Sequence, residues 1–313
     1  MSKDAKLKAL EEANKLMSQG DSWTKKTLTR WKPDWQQAAV CFDEAAKKFR
    51  ILGPIYQNDL ATALMRAGEA YEEINSLNTA GKCYSQAGEL LRKLAGRKED
   101  AIKVAKKASA LYLANEQADK AATTLVKAAA LVGEDDAQQA MALYHEAIDM
   151  FLDNGKEIFS HDIFKQGIAF ACRKGLFEEA VGLLNRQTEL YVKASKSILI
   201  NRNCTGVIIM LLFLKQTAAA KEAIARFPSC FPGSDEHKAC TMMIEGFEEV
   251  DQDKVDKAKS SFAIKNVDNQ IARIARSLAV DPDAEVNKAL FGDDAVEEPE
   301  AKVEQPEEEE ILI

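Results

Sequence analysis

The chain is 313 residues long with a formal net charge of −8, is 46% hydrophobic and 29% charged, and carries only 15 glycines and 7 prolines. The charge is uneven: ten carboxylates and one lysine fall between Asp293 and Ile313, leaving the first 292 residues with 41 basic and 40 acidic side chains. A near-neutral body excludes a generally basic nucleic-acid binder, because phosphate affinity needs a concentrated Lys/Arg surface, and the composition is that of a soluble helical protein.

In chain order, MSKDAKLKALEEANKLMSQ has no apolar core of the signal-peptide kind and reads as a first helix over about residues 4–19. The window GDSWTKKTLTRWKPDW follows and holds all three tryptophans, Trp23, Trp31 and Trp35. Trp23, Leu28 and Trp31 share it with Lys25, Lys26, Arg30 and Lys32. Indole rings beside cations are the composition of an interfacial membrane contact, with rings at headgroup level and cations on anionic lipid. Alternatively, Trp31 and Trp35 close the first repeat's core and the rest of the loop is solvated. The residues alone leave both readings open.

From the second helix onward a spacing of small–x3–large–x2–small–x3–large recurs, the mark of one stripe of an α-helix. It is clearest in Ala38–Phe42–Ala45–Phe49, Ala80–Tyr84–Ala87–Leu91 and Ala140–Tyr144–Ala147–Phe151, and the copies start at 38, 60, 80, 101, 121, 140, 160 and 180. One amphipathic helix thus begins about every twenty residues and a helix pair about every forty. A small residue admits the neighbouring helix and the large one fills the gap, so each pair is stable beside its neighbours. No segment alternates as a strand would. The pattern predicts an all-α, tetratricopeptide-like solenoid of helical hairpins over 1–200, with the Trp-containing loop at 20–34. Its period exceeds the roughly 34 residues of regular tetratricopeptide repeats, so longer helices are expected.

After about residue 200 the beat decays. Residues 201–227 read as two shorter helices, ended by Phe227-Pro228, and further helices are expected over roughly 234–250, 252–263 and 266–280, with one more turn at 284–290. These make a globular helical cap over 201–290, and the acidic tail 291–313 is expected to be disordered. Within the cap, Glu245, Glu248 and Glu249 fall at i, i+3 and i+4 on one helical face. That face is either solvated or met by a basic partner. The chain ends Glu307 to Glu310 followed by Ile311-Leu312-Ile313, which reads either as a small hydrophobic anchor beside steering charges or as a solubilising tail.

Catalytic constellations are missing. There is no phosphate-binding glycine loop, nucleophile elbow, H-E-x-x-H or Ca-loop series. His145, His161 and His237 are isolated from one another and from cysteine at ligand spacing, and the six cysteines (Cys41, Cys83, Cys172, Cys204, Cys230, Cys240) form no C-x-x-C pair. The thiols read as reduced core residues, and the chain as a cytoplasmic non-enzyme with no metal or cofactor. The longest apolar run, Val207 to Leu214, is eight residues, against the roughly 20 that a membrane span needs.

Several segments resemble a known family. Trp31-Lys32-Pro33-Asp34 before the Ala-rich second helix, FPSCFPGSD (227–235) followed by Cys240 and Ile244-Glu245-Gly246-Phe247-Glu248-Glu249, and the penultimate Leu312 after an acidic stretch are similar to the soluble NSF attachment proteins, most closely the gamma branch. The likeness covers nearly the whole chain. It implies an adaptor that binds the four-helix bundle of SNARE complexes, syntaxin-type SNAREs included. It also implies that the adaptor recruits and stimulates the AAA+ ATPase NSF for SNARE disassembly in vesicle-mediated transport. By position, it implies that Glu245, Glu248 and Glu249 contact basic surface on NSF and that Leu312 is needed to stimulate the ATPase. The loop bearing Trp23, Lys25, Lys26, Leu28 and Trp31 falls where the family touches the membrane surface, although the family's Phe-Phe pair is missing. Lys127, Lys165 and Lys174 are loose counterparts of its SNARE-binding basic side chains. The competing expectation is a generic repeat scaffold or co-chaperone of another assembly, in which the glutamate face is inert.

Overall fold

A computed structural model of the chain describes residues 3–26 and 30–280. They form fifteen α-helices and no extended strand. The chain divides into two compact units, Met1–Cys204 and Thr205–Ile313, and each is described by itself.

The first unit holds α1 (Lys3–Trp23), α2 (Trp35–Leu52), α3 (Gln57–Glu73), α4 (Leu77–Leu91), α5 (Lys98–Ala114), α6 (Ala118–Val132), α7 (Ala137–Asp153), α8 (His161–Arg173) and α9 (Phe177–Lys193). Each copy of the small–large stripe lies on one of α2 to α9, and its members are largely buried: Ala38, Phe42, Ala45 and Phe49 in α2, Ala80, Tyr84, Ala87 and Leu91 in α4, Ala140, Tyr144, Ala147 and Phe151 in α7. The size alternation is steric. A Cβ placed on Gly68 of α3 would lie 2.9 Å from the Tyr84 ring, so the aromatic of one helix occupies the space where the next has no side chain. Burying each such large side chain is worth about 1.5–3 kcal/mol.

Successive helices pack side by side, and polar links reveal two rows. Asp21 of α1 holds Arg66 of α3 at 2.6 Å, Glu72 of α3 holds Lys107 of α5 at 2.9 Å, and Asp149 of α7 holds Arg186 of α9. In the other row Arg50 of α2 bonds Gln86 of α4 at 2.9 Å, and Glu89 of α4 holds Lys127 of α6 at 3.1 Å. Odd-numbered helices therefore form one layer and even-numbered ones the other. The layers differ in charge: α2, α4, α6 and α8 carry eight Lys/Arg against five Asp/Glu, whereas α1, α3, α5, α7 and α9 carry eleven against sixteen.

The turns that leave α3, α5, α7 and α9 close in one way. Asn75, Glu116, Gly155 and Ser195 each adopt positive φ, and the next residue's N–H returns to the carbonyl of Tyr71, Tyr112, Phe151 and Tyr191 at 2.8–2.9 Å. This is the 6→1 bond of a Schellman ending, which satisfies an otherwise orphaned carbonyl. The residue that supplies the acceptor is in each case the last large member of a stripe.

Helix α10 (Ser197–Phe213) carries the chain from the first unit into the second. Residues 201–227 hold the two helices expected there, α10 and α11 (Thr217–Arg226), with α10 starting four residues early at Ser197. From Cys204 to Met210 every residue of α10 is buried, so the segment has no polar stripe to mark where the helix begins. The second unit continues with α11 (Thr217–Arg226), α12 (Asp235–Glu249), α13 (Gln252–Ser260), α14 (Phe262–Lys265) and α15 (Asn269–Ser277). Four of these are capped by side-chain acceptors: Ser234 takes the His237 N–H, Asp251 the Lys254 N–H, Ser261 the Ile264 N–H and Asp268 the Gln270 N–H. Around Phe231 and Cys240 these helices bury Met243, Ile244, Val255, Ile264, Ile271 and Ile274. The expected turn at 284–290 and the tail lie outside the described residues.

Candidate functional site

Three places hold the residues singled out by sequence. At the first, α1 runs on to Trp23, four residues beyond its expected end. Gly20 allows this, because it sits inside the helix against Phe42, where a Cβ would lie 2.6 Å from the ring. Trp23 is thereby drawn half into the structure and packs with Trp35 on a cluster of Ala38, Ala39, Phe42, Ala67 and Ala70. The Arg30 guanidinium stands 4.5 Å over the Trp23 ring, a cation–π arrangement, and donates to the carbonyls of Ser22 and Lys25. The Asp34 N–H returns to the Trp23 carbonyl at 3.0 Å.

Residues 30–34 are thus folded back on the end of α1, and the three tryptophans are separated. Trp23 and Trp35 close the core, while Trp31 is 87% exposed, with Lys25, Lys26 and Lys32 also exposed. The expectation that Trp31 shares the core-closing role with Trp35 is corrected: Trp23 does so, because the longer α1 carries it there. Leu28 lies outside the described residues.

At the second place, Lys127 of α6 is exposed and pairs with Glu89 of α4, which also accepts from Arg92 at 2.7 Å. Burial pushes the Glu89 carboxyl up, but Lys127 and Arg92 outweigh it and leave the group below its ordinary range. The three side chains rim a groove floored by Gly88, Ala101, Ala105 and Ala128. Lys165 lies on α8 and Lys174 just past its end, both exposed. They are nine residues apart, two and a half turns at 3.6 residues per turn, which points them to opposite sides of the helix. Lys127, Lys165 and Lys174 therefore do not form one cluster.

At the third place, α12 ends in the glutamate face. Glu245, Glu248 and Glu249 are exposed, yet two have partners: Lys221 of α11 holds Glu248 at 2.7 Å and Lys254 of α13 holds Glu249 at 2.5 Å. The Glu249 hydrogen bond raises the Lys254 ammonium above its ordinary range. Lys254 is five residues from Glu249 and visible locally; Lys221 comes from another helix with no local signal. The helix stops at Val250, which is left-handed (φ 54°, ψ 41°) and 68% exposed. A β-branched residue there is sterically disfavoured. Leu312 lies outside the described residues.

Among the described residues no group of three or more His, Cys, Asp or Glu side chains is placed to hold a metal ion. No described helix is long and apolar enough to cross a membrane. Cys83 and Cys240 are buried, and burial pushes both thiols up to about 12, which disfavours the reactive thiolate.

A model of the family described as "Soluble NSF attachment protein, SNAP" matches residues 4–273. The gamma-soluble NSF attachment protein of Dictyostelium discoideum is 30% identical over 276 residues, covering 87% of this chain and 84% of that protein. The gamma-soluble NSF attachment protein of Arabidopsis thaliana is 26% identical over 272 residues, covering 85% of this chain and 91% of that one. Among solved structures, a circular tandem repeat protein covers 90% of this chain and 69% of its own at 13% identity with a TM-score of 0.30.

Proposed function

The chain belongs to the soluble NSF attachment protein family, and on that premise we propose that it is an adaptor, with no catalytic chemistry of its own, between SNARE complexes and the ATPase NSF. The observation that carries this reading is the extent of the family match, which runs from α1 into α15 and so takes in both the array and the cap. The even-numbered layer, with its cationic excess and exposed Lys127, is the surface offered to a SNARE four-helix bundle, including syntaxin-type SNAREs in ER–Golgi transport. Lys165 and Lys174, on opposite sides of α8, would serve it singly. The end of α12 (Glu245, Glu248, Glu249) and Leu312 engage NSF and stimulate its hydrolysis, whose force the adaptor passes to the bundle. Surface charges of this kind steer and specify more than they hold, so several adaptor copies act together. Trp31, with Lys25, Lys26 and Leu28, touches the membrane surface peripherally, while Trp23 packs against the core of the array.

Reconstituted disassembly tests the reading. Added to NSF, ATP and an assembled SNARE complex, the chain should bind and speed dissociation; neither binding nor acceleration would sink the proposal. Trp31→Ser should weaken binding to anionic liposomes at unchanged stability, whereas Trp23→Ser should lower stability by about 2 kcal/mol through lost burial. A second reading, a repeat scaffold for another assembly, is favoured by one observation: Glu248 and Glu249 already have lysine partners within the cap. On that reading Glu248→Ala with Glu249→Ala leaves NSF binding unchanged; on ours it weakens it.

A further inference from the structure

Short turns make successive helices of the first unit antiparallel, so the turns that leave its odd-numbered helices share one edge, that of the Trp31 loop. Exposed apolar side chains gather again at the far end of this edge. Phe159, in the turn from α7 to α8, is 65% exposed, and Val192 and Ile198, on either side of the turn from α9 to α10, are 45% and 71% exposed. His161 and Tyr191 join the two turns: the Tyr191 hydroxyl donates to His161 Nδ1, and the ring centroids lie 5.8 Å apart. Phe159 is two residues from His161 and Val192 is next to Tyr191, so the two turns make one patch. Residues 192–198 are exposed without a break, and Lys193 and Lys196 fall between the two aliphatics. From Leu190 to Lys221 the sequence has five Lys/Arg and no Asp or Glu. Glu157 and Asp162 flank Phe159 in sequence and leave the α9–α10 turn wholly cationic. Among the described residues no carboxylate pairs with Lys193 or Lys196, unlike Lys48, Lys107 and Lys127.

We propose that the α9–α10 turn, with Phe159 beside it, is a second lipid-contact site whose partner is the surface of an anionic bilayer. Aliphatics alternating with unpaired lysines suit the headgroup boundary: Val192 and Ile198 enter it while the two ammonium groups meet anionic lipid. A turn tip offers a protein neither a groove nor a continuous helical face, whereas a bilayer accepts it without matching its shape. The site goes beyond the Trp31 contact and does not depend on it. Where both operate, a weak contact at each end of one edge adds to the other, as linked sites do.

The experiment is flotation of the full chain with vesicles of phosphatidylcholine alone or mixed with phosphatidylserine, without NSF or SNARE complexes. Lys193→Ala with Lys196→Ala should lower partition onto the phosphatidylserine vesicles on the order of tenfold and leave any binding to phosphatidylcholine as it was. Lys193→Arg with Lys196→Arg should bind as wild type. Phe159→Ser with Ile198→Ser should lower partition on the order of fivefold; if that pair melts early, the lysine pair decides. Added to Trp31→Ser, the lysine pair should lower binding further than Trp31→Ser alone. Lysine-pair binding within about twofold of wild type on phosphatidylserine vesicles overturns the proposal. If the same variant loses soluble SNARE complex instead, the turn is a protein contact, which overturns it too. A wild-type chain that floats with neither vesicle overturns both lipid contacts, while disassembly of soluble SNARE complexes still tests the adaptor reading by itself.

Discussion

The two units start their helices in different ways. In the array, helices of 13 to 21 residues mostly start without a side-chain cap, as at Tyr56, Ser76, Gln117 and Leu176. Of these, α3, α5, α7 and α9 finish in left-handed turns bonded back to the last large residue of the stripe. In the second unit, α12 to α15 are 15, 9, 4 and 9 residues long, and every one is started by a Ser or Asp oxygen. A long helix with neighbours on both sides is held by its buried stripe, whereas helices of one to three turns such as α13 to α15 are marginal and depend on local bonds. Stability in the array is thus shared between repeats, and in the second unit it is set by single residues.

The comparison can be broken in order of effect. Phe42→Ala should be the most damaging change, about 3–5 kcal/mol, because the fully buried ring fills the space beside Gly20. Denaturant unfolding followed separately in each unit should show the loss in the first; equal loss in both would mean that they unfold as one. Asp251→Ala should cost about 1 kcal/mol and appear only in the second unit, as faster exchange at Lys254. Val250→Asn should run the other way and stabilise that unit by roughly 1 kcal/mol, since asparagine tolerates the left-handed region. A Tm unchanged or lowered would show that Val250 is held by packing.

The smallest effect is one of pH. The Lys48 hydrogen bond holds Glu12 below the ordinary carboxylate range, and Lys259 does the same to Asp256. A carboxyl depressed in the native state contributes stability above its unfolded pKa and loses it as pH falls through the native one. Acid should therefore weaken both units slightly below about pH 4.5. Lys48→Met should weaken that dependence in the array alone, leaving the share of Glu44 and Glu89, as thermal melts across pH would record.

How much was legible beforehand follows from how local each signal is. The stripe of α2 to α9 is written in spacings of three and four residues, so helix number, order and buried faces could be read directly. The end of α1 could not, because Gly20 and Trp23 look like a loop until Phe42, twenty-two residues on, turns out to need the space. Helix α10 hid its start by being apolar all round. At the candidate sites, the i, i+3, i+4 spacing of Glu245, Glu248 and Glu249 was plain, but Lys221 reaches them from 27 residues away. The tryptophans were found together as a window, and only the fold distinguishes the exposed Trp31 from the packed Trp23.

The polar links within each layer have a mechanical consequence. Arg66–Asp21, Lys107–Glu72 and Arg186–Asp149 tie hairpin to hairpin on one side, and Arg50–Gln86 and Lys127–Glu89 do so on the other. Each is a surface pair of small individual worth, but those in the two layers load in parallel when one hairpin is sheared against the next. Under a pull α1 to α6 therefore behave as a laminate stitched along both faces: sliding one of their hairpins past its neighbour must rupture stitches on both sides at once, whereas peeling from an end breaks them one at a time.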